Sequence, residues 1–167
     1  MLQMNFLIVA LAALVPLVIG FIWYNPKTFG NVWMKLADMT DEKIKGANMP
    51  VIFILSYVLS FLFAMMLQVM VVHQFHIFSI LAGEPDVMTE GSAANTMLTS
   101  FMEQYGDRFR TFKHGAFHGV FTGLLFIMPV IGTNALFERK SWKYIWLNSG
   151  YWIICAGIMG GLICQFT

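Results

Sequence analysis

The chain has 167 residues, enough for one domain, with 58% hydrophobic and 11% charged residues. Soluble domains carry about 25% charged residues, and a soluble core of this size could not hide so much apolar surface. The net charge of +1 gives no basis for a polyanionic partner, so nucleic acid is excluded as a target.

The first apolar run covers residues 5–24, and about 20 such residues cross a bilayer core. No Lys or Arg precedes Lys27 and the run exceeds the core of a signal peptide, so an uncleaved span is expected. Pro16 inside it is a tolerated kink. Pro26 ends the helix at Asn25. Phe29, Val32, Trp33 and Leu36 then recur at helical spacing, with Asn31, Lys35 and Asp38 on the other face. That pattern predicts a short amphipathic helix lying in the headgroup plane, with Trp23, Tyr24 and Trp33 as interface anchors. Thr40 before Asp41 and Glu42 reads as a second short helix start, and Gly46 as its stop.

The second span covers residues 50–76 and begins at Pro50, a residue suited to a first helical turn. The apolar pattern runs on to Leu81, so this helix is expected to project beyond the membrane. Residues 83–112 are the one sizeable polar segment. Glu84 to Ser92 read as a loop, and Met97, Leu98, Phe101, Met102 and Tyr105 as an amphipathic helix. The third span covers residues 113–136, with Pro129 near its far end. After a tight charged turn at Glu138 to Lys140, Ser141 caps the fourth span at residues 142–164. Cys155 and Cys164 share that span, nine residues or about 13 Å apart on a helix, too far for a disulfide with each other. The expected fold is an all-α integral membrane protein. Four transmembrane helices form a compact bundle in a single domain, residues 1–167, with a short interfacial helix after the first span.

Gly115, Gly119 and Gly123 recur every four residues in the third span, and Gly150, Gly157 and Gly161 line a stripe of the fourth. Such faces let another helix approach closely, whether from this chain, a protein partner or a second copy in a homo-oligomer. Lys27, Lys35, Lys43, Lys45, Arg139, Lys140 and Lys143 fall in the two loops that share a side, against Arg108, Arg110 and Lys113 opposite. The positive-inside rule puts the seven in the cytoplasm, with both termini and the 83–112 segment outside.

All four histidines then lie at the outer side. His73 is 22 residues beyond Val51, about 33 Å along a helix, and His76 follows it. His114 and His118 open the returning third span, one turn apart on one face. Pairs at these spacings ligate zinc, copper or iron, or hold a haem iron axially, and Glu103 or Asp107 would complete a site. His73 and His118 are expected to approach each other, with His76 and His114 flanking. The commoner arrangement of such residues is an interfacial cluster satisfied by water or carbonyls.

Tyr24-Asn25-Pro26 leading to Phe29-Gly30 and Trp33-Met34-Lys35 resembles a bacterial membrane family, as do His114-Gly115 with Gly119 and Phe137-Glu138-Arg139-Lys140. That family is catalogued as domain of unknown function 1761. The resemblance covers nearly the whole chain and implies four membrane helices. It supplies no activity and no catalytic residue.

No nucleotide loop, zinc-protease motif or serine nucleophile elbow is present, and no enzyme is indicated. Three functions follow, in order. A non-catalytic accessory or interaction protein fits the small apolar chain. A metal- or haem-binding membrane protein fits His73, His76, His114 and His118. A small transporter or channel subunit comes last, because Gln68, Thr122 and Asn148 are the notable polar groups at mid-span. A bacterial cytoplasmic membrane is the expected location.

Overall fold

The computed structural model describes residues 4–167, all helical, with no strand among them. Eleven segments follow one another, ten α-helices and one π segment. The first span is α1 (Phe6–Ala12) and α2 (Val15–Trp23). It breaks at Ala13 and Leu14 because Pro16 has no N–H to give the preceding turn. Asn5 caps α1 by accepting from the Ile8 N–H at 3.2 Å. Two short helices follow, α3 (Gly30–Leu36) and α4 (Asp41–Lys45), the latter capped by Thr40. Asp38, at φ 55°, closes α3, and the Met39 N–H reaches back to the Met34 carbonyl at 2.9 Å.

The second span is α5 (Met49–Val71), capped by Asn48 with Pro50 in its first turn. The expectation of an unbroken helix through residue 76 is corrected here. Val72 is extended, with ψ at 91°, and a separate helix α6 (Gln74–Leu81) starts after it. The Val71 carbonyl, freed by the break, accepts instead from the Cys164 thiol at 3.4 Å. Gln74 explains what the break achieves. Its buried amide nitrogen donates to the carbonyls of Arg108 at 2.9 Å and Tyr105 at 3.3 Å, pinning α6 to the end of α7 (Ala93–Tyr105).

The third span is α8 (Phe112–Thr122), a π segment (Gly123–Ile127) and α9 (Met128–Phe137), continuous from end to end. Pro129 accounts for the π segment. A proline ring clashes with the carbonyl four residues back, and the wider turn, with the Met128 N–H bonded to the Gly123 carbonyl, makes room.

The fourth span, α10 (Trp142–Phe166), is the axis on which the others pack, touching α1, α2, α3, α5, α8 and α9. Tyr151, Cys155, Met159 and Ile163 are buried along it, against Val9, Ala12, Ala64, Leu67 and Val71. The Tyr151 hydroxyl donates to the Pro16 carbonyl at 2.7 Å, and the Tyr24 hydroxyl donates to the Asn148 side-chain oxygen at 3.1 Å. Its crossing with α8 is the closest in the fold. A Cβ at Gly115 would fall on the Gly160 carbonyl, and one at Gly119 on the Ala156 carbonyl. Gly123 faces Ile153, Gly150 faces Trp23 and Gly161 faces Phe112. The glycine faces read as possible surfaces for a second copy are therefore filled by this chain's own helices.

Four segments, Phe6–Trp23, Met49–Val71, Phe112–Phe137 and Trp142–Phe166, are long and apolar enough to cross a membrane. Leu7, Phe21, Ile54, Leu59, Leu125 and Phe126 project outward and exposed from them, as lipid-facing residues of an integral membrane protein do. At one end of the molecule the Asn5 amide nitrogen donates to the Phe166 carbonyl at 3.3 Å. At the other end Lys140 and Asp38 form an ion pair at 2.5 Å that joins the two basic loops. Lys140 holds the Asp38 carboxyl below its ordinary value.

Candidate metal centre

The break at Val72 and the head of α8 create the site. His73 stands at the N-cap position of α6, and Thr111 caps α8 by accepting from the His114 N–H at 3.3 Å. The close α8–α10 crossing fixes the first turns of α8, and with them His114 and His118. One turn apart, their rings lie 4.5 Å apart, and the His73 ring meets them at 5.0 and 4.8 Å. His73 and His114 share a hydrogen bond between their Nε2 atoms at 2.9 Å. One ring nitrogen from each of His73, His114 and His118 falls within 4.8 Å of the other two. Tetrahedral zinc at about 2.0–2.1 Å from each nitrogen sets neighbouring nitrogens about 3.3 Å apart, inside that range.

His76 stands apart from the other three histidines. Its ring centre is 6.4 Å from that of His73, and its Nδ1 lies 3.2 Å from the His73 carbonyl. Glu103 and Asp107, read as possible completing ligands, lie at a separate cleft on the α7 side and contribute no atom to the group. The donor set is therefore three imidazoles without a carboxylate. Burial, followed by the neighbouring His114 and His76, lowers the His73 pKa from its ordinary value. Each effect disfavours the imidazolium and leaves the neutral ring that a metal needs.

Two residues outside the histidine set, Phe109 and Gln74, complete the surroundings. Phe109 stacks on His114 with ring centres 4.9 Å apart and planes 20° from parallel. Its backbone is left-handed, at φ 64°. Gln74, between the first two histidines, holds the α7–α8 turn in place through the two carbonyls named above. A polar side chain at the end of an apolar run was the one available signal for Gln74. No signal marked Phe109.

The family model described as a protein of unknown function, DUF1761, matches residues 7–164. The chain belongs to this family. No curated protein and no solved structure matches it. Membership brings no assigned activity, so the chemistry of the DUF1761 chain rests on the geometry of its own residues.

Proposed function

We propose that this is a metal-binding membrane protein whose His73, His114 and His118 hold one divalent transition-metal ion. The observation that carries the reading is the convergence of three ring nitrogens from two helices within 4.8 Å. It moves metal binding ahead of a purely accessory role, which ranked first on sequence because spacing alone could not tell converging histidines from scattered ones. Neutral imidazole suits zinc, copper, iron and nickel. Haem fits the arrangement poorly. Its macrocycle needs a slot between two axial imidazoles, and His73 and His114 are bonded to each other. Transport stays last: Thr122 and Asn148 bond to the carbonyls of His118 and Tyr144, and Gln68 donates to Thr167 with its buried Oε1 left unpartnered.

In this reading residues 1–167 form one domain, a four-helix bundle in a bacterial cytoplasmic membrane. Its loops at residues 25–49 and 137–143 are cytoplasmic, and both termini and the histidines are outside. The seven basic residues of the cytoplasmic side support that orientation. Trp33 packs edge-on to Tyr24 at 5.3 Å, which supports an interfacial place for α3.

Zinc titration into metal-free protein in detergent tests the site. One ion per chain is expected, with at least about tenfold weaker binding in His118→Ala and unchanged binding in His76→Ala. Bound zinc should leave as pH falls below about 6.5, the value of an unperturbed ring, because His73 is held lower than that and protons compete for the same nitrogens. Equal affinity in wild type and His118→Ala would overturn the proposal.

A further inference from the structure

A cleft of about 350 Å³ opens beside His73. His73, Ile77, Phe101, Tyr105, Arg108 and Phe109 line it. Two of these connect it to the ligand set. His73 belongs to both, and the Phe109 ring stacks on His114.

Phe109 is unusual in a second respect. A bulky residue at φ 64° is a true outlier, and Phe109 is 57% exposed, so burial does not hold it there. Its neighbours do. The Cys164 thiol shares its one proton between the Phe109 and Val71 carbonyls, each 3.4 Å from Sγ, Arg110 Nε donates to the Cys164 carbonyl at 3.2 Å, and Gln74 fixes the carbonyls of Tyr105 and Arg108. Strain of this kind persists where the surroundings over-determine it, and such residues cluster at ligand sites. The result is an aromatic wall aimed across an open cleft. The Arg108 guanidinium lies 5.6 Å from the ring centres of both Tyr105 and Phe109, at its polar rim.

Three imidazoles leave the fourth position of a tetrahedral ion free for an external ligand. We propose that the cleft delivers that ligand: a small aromatic molecule carrying a nitrogen or oxygen donor head. The head coordinates the ion, and the ring lodges among Phe101, Tyr105 and Phe109, where offset and edge-on aromatic contacts are favourable. This inference rests on the metal-binding reading, and the test separates the two.

Cobalt(II) replaces zinc as a coloured reporter in the full chain in detergent, and imidazole and 4-phenylimidazole are titrated as probes. Both carry the same donor head, and only the second carries a ring for the cleft. Wild type should bind 4-phenylimidazole at least about tenfold more tightly than imidazole. Ile77→Trp, which fills the cleft, should cancel that preference while keeping the cobalt spectrum. Phe101→Ala, which removes one wall, should reduce it, and the cobalt spectrum of each variant reports that it is folded. Because all proteins share the same micelle, partition of the probe cancels between them. Equal affinity for the two probes in wild type, or a preference that survives in Ile77→Trp, overturns the cleft proposal and leaves the metal reading standing. Absence of any cobalt spectrum in wild type overturns the metal reading, and this one with it.

Discussion

Phe109 is where a single residue departs furthest from its own preference. An L-residue in the left-handed region costs about 1–2 kcal/mol, and glycine escapes that cost. Phe109→Ala and Phe109→Gly both remove the stack on His114, but only glycine relieves the backbone at φ 64°. Phe109→Gly should therefore be the more stable of the two in detergent, by about 1 kcal/mol, in thermal or denaturant unfolding. A more stable alanine variant would mean that the turn does not hold this conformation. The histidines were legible in the sequence because residue type and spacing are visible there. The distance of His76 from the other three was not, since its ring folds back on the His73 carbonyl instead of following the shared face that i, i+3 spacing implies. A left-handed phenylalanine leaves no mark in sequence at all.

At the scale of helices, long apolar runs identified all four spans, and caps at Asn48, Thr111 and Ser141 set where three of them begin. The interruptions were only partly legible. Pro16 and Pro129 announce distortions, but the break at Val72 has no proline or glycine to announce it and serves distant partners, the Tyr105 and Arg108 carbonyls and the Cys164 thiol. The α8–α10 crossing is the element on which the site depends. Its glycines admit the neighbouring backbone, and a methyl at Gly119 would strike the Ala156 carbonyl. Gly119→Ala should cost about 1–3 kcal/mol as overpacking, while Gly83→Ala, with open space around it, should leave stability nearly unchanged. Unfolding in detergent reads both. Equal loss in the two variants would mean that the helices do not cross so closely.

For the whole molecule, the sidedness of the chain decides where any ion is captured. The ion pair between Asp38 and Lys140 joins the two basic loops at one end, and Asn5 meets Phe166 at the other. Single cysteines at Asp41 and Glu90, in a background with Cys155 and Cys164 replaced by alanine, should react from opposite sides of the membrane. In intact cells an impermeant thiol reagent should modify the Glu90→Cys protein and spare the Asp41→Cys protein. Labelling of both from outside would contradict the topology. Sequence alone ordered the spans and counted the charges, but the convergence of His73 with His114 and His118, from the end of the second span and the start of the third, needed the packing around α10.

The ligand shell of a bound ion is read most directly by X-ray absorption at the zinc edge, on wild type and His118→Ala loaded with one equivalent. Wild type should show three imidazole nitrogens at about 2.0–2.1 Å plus one light atom, and His118→Ala should lose one imidazole or fail to retain the ion. A wild-type spectrum without an ordered imidazole shell, or one unchanged by the substitution, would contradict a metal centre built from His73, His114 and His118.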